Sequence, residues 1–549
     1  MRLRIVYICM TSFAAAIGAQ PADVPHDGAA ANAFVTSDQC IACHSNLHSS
    51  SGQDVSIGYN WRASMMANSA RDPYWHAAVR REVLDHPESH AAIEDTCSTC
   101  HMPMARSAAA AEGTLGRVFA NLARADDAPH SALAMDGVSC TVCHQIRADN
   151  FGEADSFDGG FVIEPSSTPG ARAVFGPYDV AAGHQTLMQS AAQFVPRQAT
   201  HLQESELCAT CHTLYTHALN DAGEAVGELP EQVPYQEWLH SDYRETQSCQ
   251  MCHMPEVAED VPISSVLGVP RPGMSRHDFR GANAFMLGML NKYRGELGVT
   301  ALPQELHAAA RSAEEYLGSQ TAQLTIESAR VRGSVLEADV GIVSWAGHKL
   351  PTAYPSRRVW LHFTVTDGDG AVLFQSGALR RDGSIAGNDN DADALTFEPH
   401  YEQIDSADQV QIYEPIMADA NGRVTTGLLR GVRYIKDNRI LPRGFDKTTA
   451  PHDVAVQGVA VTDPDFVAGG DRVRYRVELP DATRRPVRVA VELRYQSIGY
   501  RWAENLRMYD AAETRRFVSY YEATAGASGL LIAAAAVSIE SDGPQRQSP

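Results

Sequence analysis

The pattern Cys-x-x-Cys-His occurs five times in the 549-residue chain, at Cys40–His44, Cys97–His101, Cys140–His144, Cys208–His212 and Cys249–His253. Each copy reads as the attachment site of one c-type haem. The thiol pairs Cys40 and Cys43, Cys97 and Cys100, Cys140 and Cys143, Cys208 and Cys211, and Cys249 and Cys252 are expected to add to porphyrin vinyl groups. His44, His101, His144, His212 and His253 are then the axial ligands on one side of each iron. Zinc sites, iron–sulfur clusters and redox disulfides also use CxxC pairs, but none requires histidine directly after the second cysteine. Histidine makes up only 21 of 549 residues. Five chance matches to the haem motif therefore have a probability on the order of 10⁻⁷. Every cysteine except Cys9 lies in such a motif, which excludes a disulfide scaffold.

The N-terminal run MRLRIVYICMTSFAAAIGAQ has early arginines, a short apolar stretch and small residues before Gln20. Residues 1–19 read as a secretory signal peptide, which would remove Cys9, and residues 20–37 as a linker. The apolar stretch is too short for a membrane span, as is the alanine-rich run Gly529–Ser538, read as a terminal strand or helix. Attachment of c-type haem takes place outside the cytoplasm, so a periplasmic or secreted location is expected. The formal charge of −22 argues against nucleic acid, which needs a basic footprint. It suits docking to a basic redox partner, although the same charge also serves solubility.

The motifs leave little protein around each haem, so residues 38–300 are expected to form a mainly α, loop-rich pentahaem domain. Apolar residues at helical spacing mark Ala282–Leu297, and Pro303 opens a second helix near residues 304–320. Residues 301–321 thus read as a helical connector. Beyond it the pattern alternates. Ala322–Ile326, Leu336–Val343, Val359–Thr366, Ala371–Gln375, Arg472–Leu479 and Val487–Tyr495 read as strands, with a hairpin turn at Asp367–Gly370. Residues 322–540 are expected to form a β-sandwich-like C-terminal domain with a helix near Ala512–Tyr521. Residues 541–549 read as a disordered tail. The motifs have no fixed period, so a solenoid is excluded.

The segment Trp61-Arg62-Ala63-Ser64-Met65-Met66-Ala67 resembles the W-x-x-S-x-H-A stretch of multihaem cytochromes of the cytochrome c-552/4 type. Ser205–His212 resembles their S-x-L-C-A-x-C-H, and Cys249–Pro255 their C-Q-x-C-H-M-P. His277–Asn283 resembles their H-x-F-x-G-G-N, with Ala282 replacing a glycine. The resemblance covers residues 38–285. It implies that His277 is a distal haem ligand, with His201 next in rank. His130 and His184 are further candidates, ahead of His240, His217, His76, His90 and His48. Met66 stands where the resembling proteins carry a ligating histidine. It is either an axial thioether that raises one haem's potential or packing beside a porphyrin.

Gly347–Thr352 resembles a turn in the β-domains appended to such cytochromes. His348 there either caps its own loop or reaches over to a haem. Asn388–Asp393 concentrates oxygen donors and reads as an acidic turn or a Ca²⁺ site, without the glycine or glutamate of an EF-hand. Arg357 and Arg358 read as haem-propionate partners or as surface residues. All five motifs end in histidine, so the lysine-ligated variant of pentahaem nitrite reductases is absent. The expected function is electron transfer between redox partners. The alternative is an oxidoreductase acting on a small nitrogen or sulfur compound at a haem with an open face. A pyridine haemochrome assay on the purified protein is expected to return about five haems per chain; a markedly lower count would overturn the motif reading.

Overall fold

The computed structural model describes residues 33–122, 129–163, 170–220 and 222–540. The expected signal peptide and C-terminal tail lie outside these residues. All five motifs begin in helices: Asp38–Ile41, His90–His101, Cys140–Cys143, Ser205–His212 and Cys249–His253. A helical turn brings residues three and four apart onto one face, so both thiols and the histidine of a motif point the same way.

Between these short helices runs a longer one, Pro73–Asp85. Asp72 caps it by accepting from the backbone N–H of Tyr74 and Trp75, and Pro73 fills its first position. The region also holds two small sheets. Arg172–Gly176 and Phe194–Gln198 pair in parallel across the helix Ala182–Ala192. Leu214–Leu219 and Ala225–Gln232 form a hairpin.

The second half is a sandwich. One sheet joins Ala322–Arg332, Val335–Ser344, Gly470–Glu478 and Gln403–Ile404. The other joins Ile412–Tyr413, Arg358–Thr366, Val487–Gln496 and Gly529–Ile539, with Val372–Ser376 also on Arg358–Thr366. Their inner faces share one core containing Leu336, Val340, Leu361, Phe363, Tyr475 and Leu493. Phe363 and Tyr475 stack across it at 3.8 Å. The first strand runs beyond the expected Ile326, because a bulge between Ile326 and Ser328 shifts the alternation without ending the pairing. Gly529–Ile539 is a strand, since its backbone pairs along Val487–Gln496. The helix Ala512–Glu522 matches its expected place, and Pro303–Gln320 is the connector helix.

The boundaries expected at residues 300 and 321 do not separate independent cores. The helix Ala512–Glu522 packs on Pro73–Asp85, with Tyr74 and Phe517 at 5.1 Å. Phe285, Leu290, Leu306 and Tyr521 complete this shared cluster. Glu82 accepts from the backbone N–H of Leu428 at 2.9 Å. A buried charge cluster ties the halves again. Lys349 Nζ donates to Asp437 Oδ2 at 2.7 Å, Arg439 meets Asp437 at 2.8 Å, and Arg439 also reaches Glu237 Oε1 at 2.8 Å. Two cations thus neutralise two anions, all essentially out of contact with solvent.

Removing one partner of such a cluster strands a buried charge. Asp437→Ala is expected to cost about 3–5 kcal/mol, read as a lowered urea midpoint of the holoprotein. Burial raises the Asp437 pKa, and the charges of Arg439 and Lys349 more than offset this, holding it below its ordinary value. Its contribution is therefore full above about pH 4 and is lost as the pH falls through the folded-state value. The stability advantage of the native chain over Asp437→Asn is expected to shrink in acid.

Candidate haem sites

A single cavity of ≈ 2240 Å³ is lined by every motif cysteine and by His44, His101, His144, His212 and His253. Ordinary ligand pockets hold roughly 300–1,000 Å³. The ten motif cysteines are all free of disulfides. Trp61, Trp75, Phe175, Phe194 and Trp238 contribute apolar wall. Free thiols, imidazoles and an apolar wall around this volume fit several porphyrins.

Four of the five motif histidines are oriented by backbone carbonyls. Nδ1 of His44 donates to Ile263 O at 2.6 Å, that of His101 to Ser69 O at 3.2 Å, and that of His144 to Phe175 O at 2.6 Å. His253 makes the same bond to Arg280 O. Each bond places the proton on Nδ1 and leaves Nε2 as the lone-pair donor, the arrangement that metal-bound histidines use. Trp75 lies flat against the His101 ring at 4.4 Å. Burial lowers the pKa of all five imidazoles, those of His101 and His212 to about 4, with Arg357 adding to the effect at His212. They are neutral at pH 7, as ligation requires.

Local bonds also decide which motifs are neighbours. Ser37 donates from its N–H and hydroxyl to Asp136, each at 2.8 Å, and Ser139 donates to the same carboxylate, joining the first and third motifs. Gly159 joins the second and fourth. Its N–H donates to Thr210 O at 2.7 Å, and a Cβ there would lie 2.3 Å from Thr99 Cγ2, at a φ of +80°. Ser205 Oγ accepts from the Cys249 N–H at 3.1 Å, and Gln250 donates to Leu202 O and Glu204 O, joining the fourth and fifth. Accordingly the thiols of Cys40 and Cys140, Cys100 and Cys211, and Cys208 and Cys249 lie close enough to shift one another's titration. Cys143 also feels Cys211, which links the third motif to the fourth.

His277 faces His144, ring centroids 6.3 Å apart and planes 13° from parallel, with its Nδ1 donating to Ser275 O at 3.0 Å. With metal–nitrogen bonds of about 2.0 Å and ring nitrogens about 1.1 Å from their centroids, two imidazoles on opposite sides of one metal stand about 6.2 Å apart. His184 lines the cavity, with Nε2 bonded to Leu267 O at 2.8 Å. Met66 also lines it, as does its neighbour Met65, which packs against the shared core as well. His348, reaching in from the sandwich, lies on the wall beside His253.

Two other candidates stand apart. His201 is absent from the cavity wall, and its Nε2 is engaged by Ile146 O at 2.8 Å between the rings of Phe151 and Phe175. His130 is likewise absent and meets Glu112 Oε2 at 3.1 Å. Sequence nearness to a motif says nothing about which side of the helix a histidine reaches. His76 has both nitrogens occupied, by Ala70 O and Arg516.

The two arginines divide. Arg358 is buried and pairs through two nitrogens with Asp391, at 2.8 and 2.9 Å. Arg357 lines the cavity and donates to Thr352 O at 3.1 Å. The same pairing engages one carboxylate of the Asn388–Asp393 loop. Asp391 pairs with Arg358, Asn388 caps the short helix Asp389–Ala392, and Asp393 accepts from the Leu395 N–H. A buried trio, His400, Asp463 and Asp471, went unnoticed in the sequence because its members come from distant segments. Gln411 and Asn438 amides, oriented by their own backbone bonds, both donate to His400 Nδ1. The ring proton therefore sits on Nε2 and bonds Asp463 at 2.9 Å, which makes this a self-satisfied hydrogen-bond network.

A cavity walled by five CxxCH helices has the residues to hold several c-type haems. Among solved structures, a penta-heme cytochrome c552 from Thermochromatium tepidum is similar in fold, with a TM-score of 0.50 at 17% identity, covering 92% of this chain and 99% of that one. No protein-family model matches the sequence, and no curated protein does. His277→Ala is expected to convert one low-spin haem to a high-spin form in the oxidised electron paramagnetic resonance spectrum; an unchanged spectrum would remove His277 from the ligand set.

Proposed function

We propose that this protein is a pentahaem c-type cytochrome that passes electrons between redox partners outside the cytoplasm. The observation that carries the reading is the single cavity reached by all five motifs, with direct hydrogen bonds tying the first motif to the third and the fourth to the second and fifth. Haem c supplies a one-electron Fe(III)/Fe(II) couple when bound. The chain attaches it through the motif thiols, ligates it through neutral histidines, and excludes water with the apolar wall. Neighbour relations set the route. The first motif adjoins the third, and the fourth adjoins both the second and the fifth. The fourth site is therefore the branch point. The proximal ligands are His44, His101, His144, His212 and His253, and His277 is the distal partner of His144. His184 and Met66 stay candidates for the remaining distal positions, and Arg357 for a propionate.

The signal-like N-terminus supports export, and the charge of −22 supports a basic partner. Among the described residues no helix is long and apolar enough to cross a membrane.

One observation favours a second reading, an oxidoreductase for a small nitrogen or sulfur compound. Among the described residues, no second histidine ring stacks across from His44, His101 or His212. The two readings separate on ligand binding. The carrier is expected to leave its visible spectrum unchanged on adding nitrite, hydroxylamine or carbon monoxide. A high-spin fraction that binds these ligands would establish an open site instead. If Met66 is a ligand, the oxidised protein carries a near-infrared sulfur-to-iron band that Met66→Ala abolishes.

A further inference from the structure

We infer that His348, from the β-sandwich, is the distal axial ligand of the haem attached at Cys249 and Cys252. This rests on the proposal above that the fifth motif carries a haem. The rings of His253 and His348 lie 6.2 Å apart, 13° from parallel. That spacing and tilt match those of His144 and His277, and match the separation of about 6.2 Å expected for two imidazoles sharing one metal. Both rings line the cavity.

The hydrogen bonds agree on each side. His253 Nδ1 donates to Arg280 O, and His348 Nδ1 donates to Lys349 O at 2.9 Å. In both rings Nε2 is then the free lone-pair donor. Capping its own loop and reaching a metal are thus not alternatives for His348: the loop bond uses one nitrogen and fixes the tautomer that frees the other.

The turn is held too firmly to be an ordinary surface loop. The next residue, Lys349, is fully buried; its N–H donates to Glu237 Oε2 at 3.0 Å and its ammonium to Asp437. Thr352 donates to the same Glu237 oxygen. Leu350 and Ile440 exchange two backbone bonds of 2.9 Å. Glu237 lies between the fourth and fifth motifs, so the carboxylate that orients the turn belongs to the stretch that leads into Cys249. The buried charge cluster is therefore a positioning device for His348, and the sandwich completes a redox site.

The test is His348→Ala and His348→Met in the haem-loaded full chain. A haemochrome count of about five in the native protein and both variants shows that the haems are attached, and a low native count would fail the pentahaem reading rather than this inference. In His348→Ala one haem in five is expected to turn high-spin in the oxidised spectrum, with low-spin character restored by added imidazole. In His348→Met one haem is expected to gain a near-infrared sulfur-to-iron band, and one midpoint potential to rise. The methionine variant keeps the test open should the alanine variant fold poorly. Oxidised spectra and potentials identical to native in His348→Met, or in a folded His348→Ala, would overturn the inference.

Discussion

Apolar surface turned toward the central cavity sets the terms for the rest of the structure. In the motif-bearing half the core is broken into small clusters. Ala33, Phe34, Met104, Val142 and Ile146 form one, and Leu47, Val55, Val257, Val261 and Met274 another. Members of both, Val142, Ile146 and Met274, line the cavity themselves. Such clusters are too small to order a chain by themselves. The sandwich, by contrast, has one continuous core spanning both sheets. The motif half leans on it through the Tyr74–Phe517 cluster and through the buried Lys349, Asp437, Arg439 and Glu237.

Electrostatics follow the same division. Charges at the junction are buried but paired, so they fix the geometry of the turn that carries His348. Imidazoles around the cavity are buried and unpaired by charge, and desolvation keeps them neutral. The ring protons of His44, His101, His144, His253, His277 and His348 go to backbone carbonyls. One low-dielectric region thus holds neutral metal-seeking nitrogens, and its rim holds the ions that aim one of them.

Much of this was legible in the chain. The sandwich strands show because one face is buried and the other wet, a period of two that survives in the sequence. Gly529–Ile539 was ambiguous because a run of alanines has little preference for helix or strand; pairing with Val487–Gln496 decided it. Asn388–Asp393 concentrates oxygen donors, and the Arg358 that pairs with Asp391 comes from a distant strand. His201 and His130 looked suitable because they stand near motifs. Nearness along the chain does not fix direction: Nε2 of each is engaged, by Ile146 O and Glu112, and neither ring lines the cavity.

The proximal half of each site is a local property. Two cysteines and a histidine within one helical turn share a face whatever surrounds them, so the sequence by itself determined those five sets. The distal half is not local. His277 meets His144 and His348 meets His253 only after the sheets and helices have packed. A ring separation of about 6 Å between residues so far apart in the chain depends on the whole fold, and only the tertiary structure decided it.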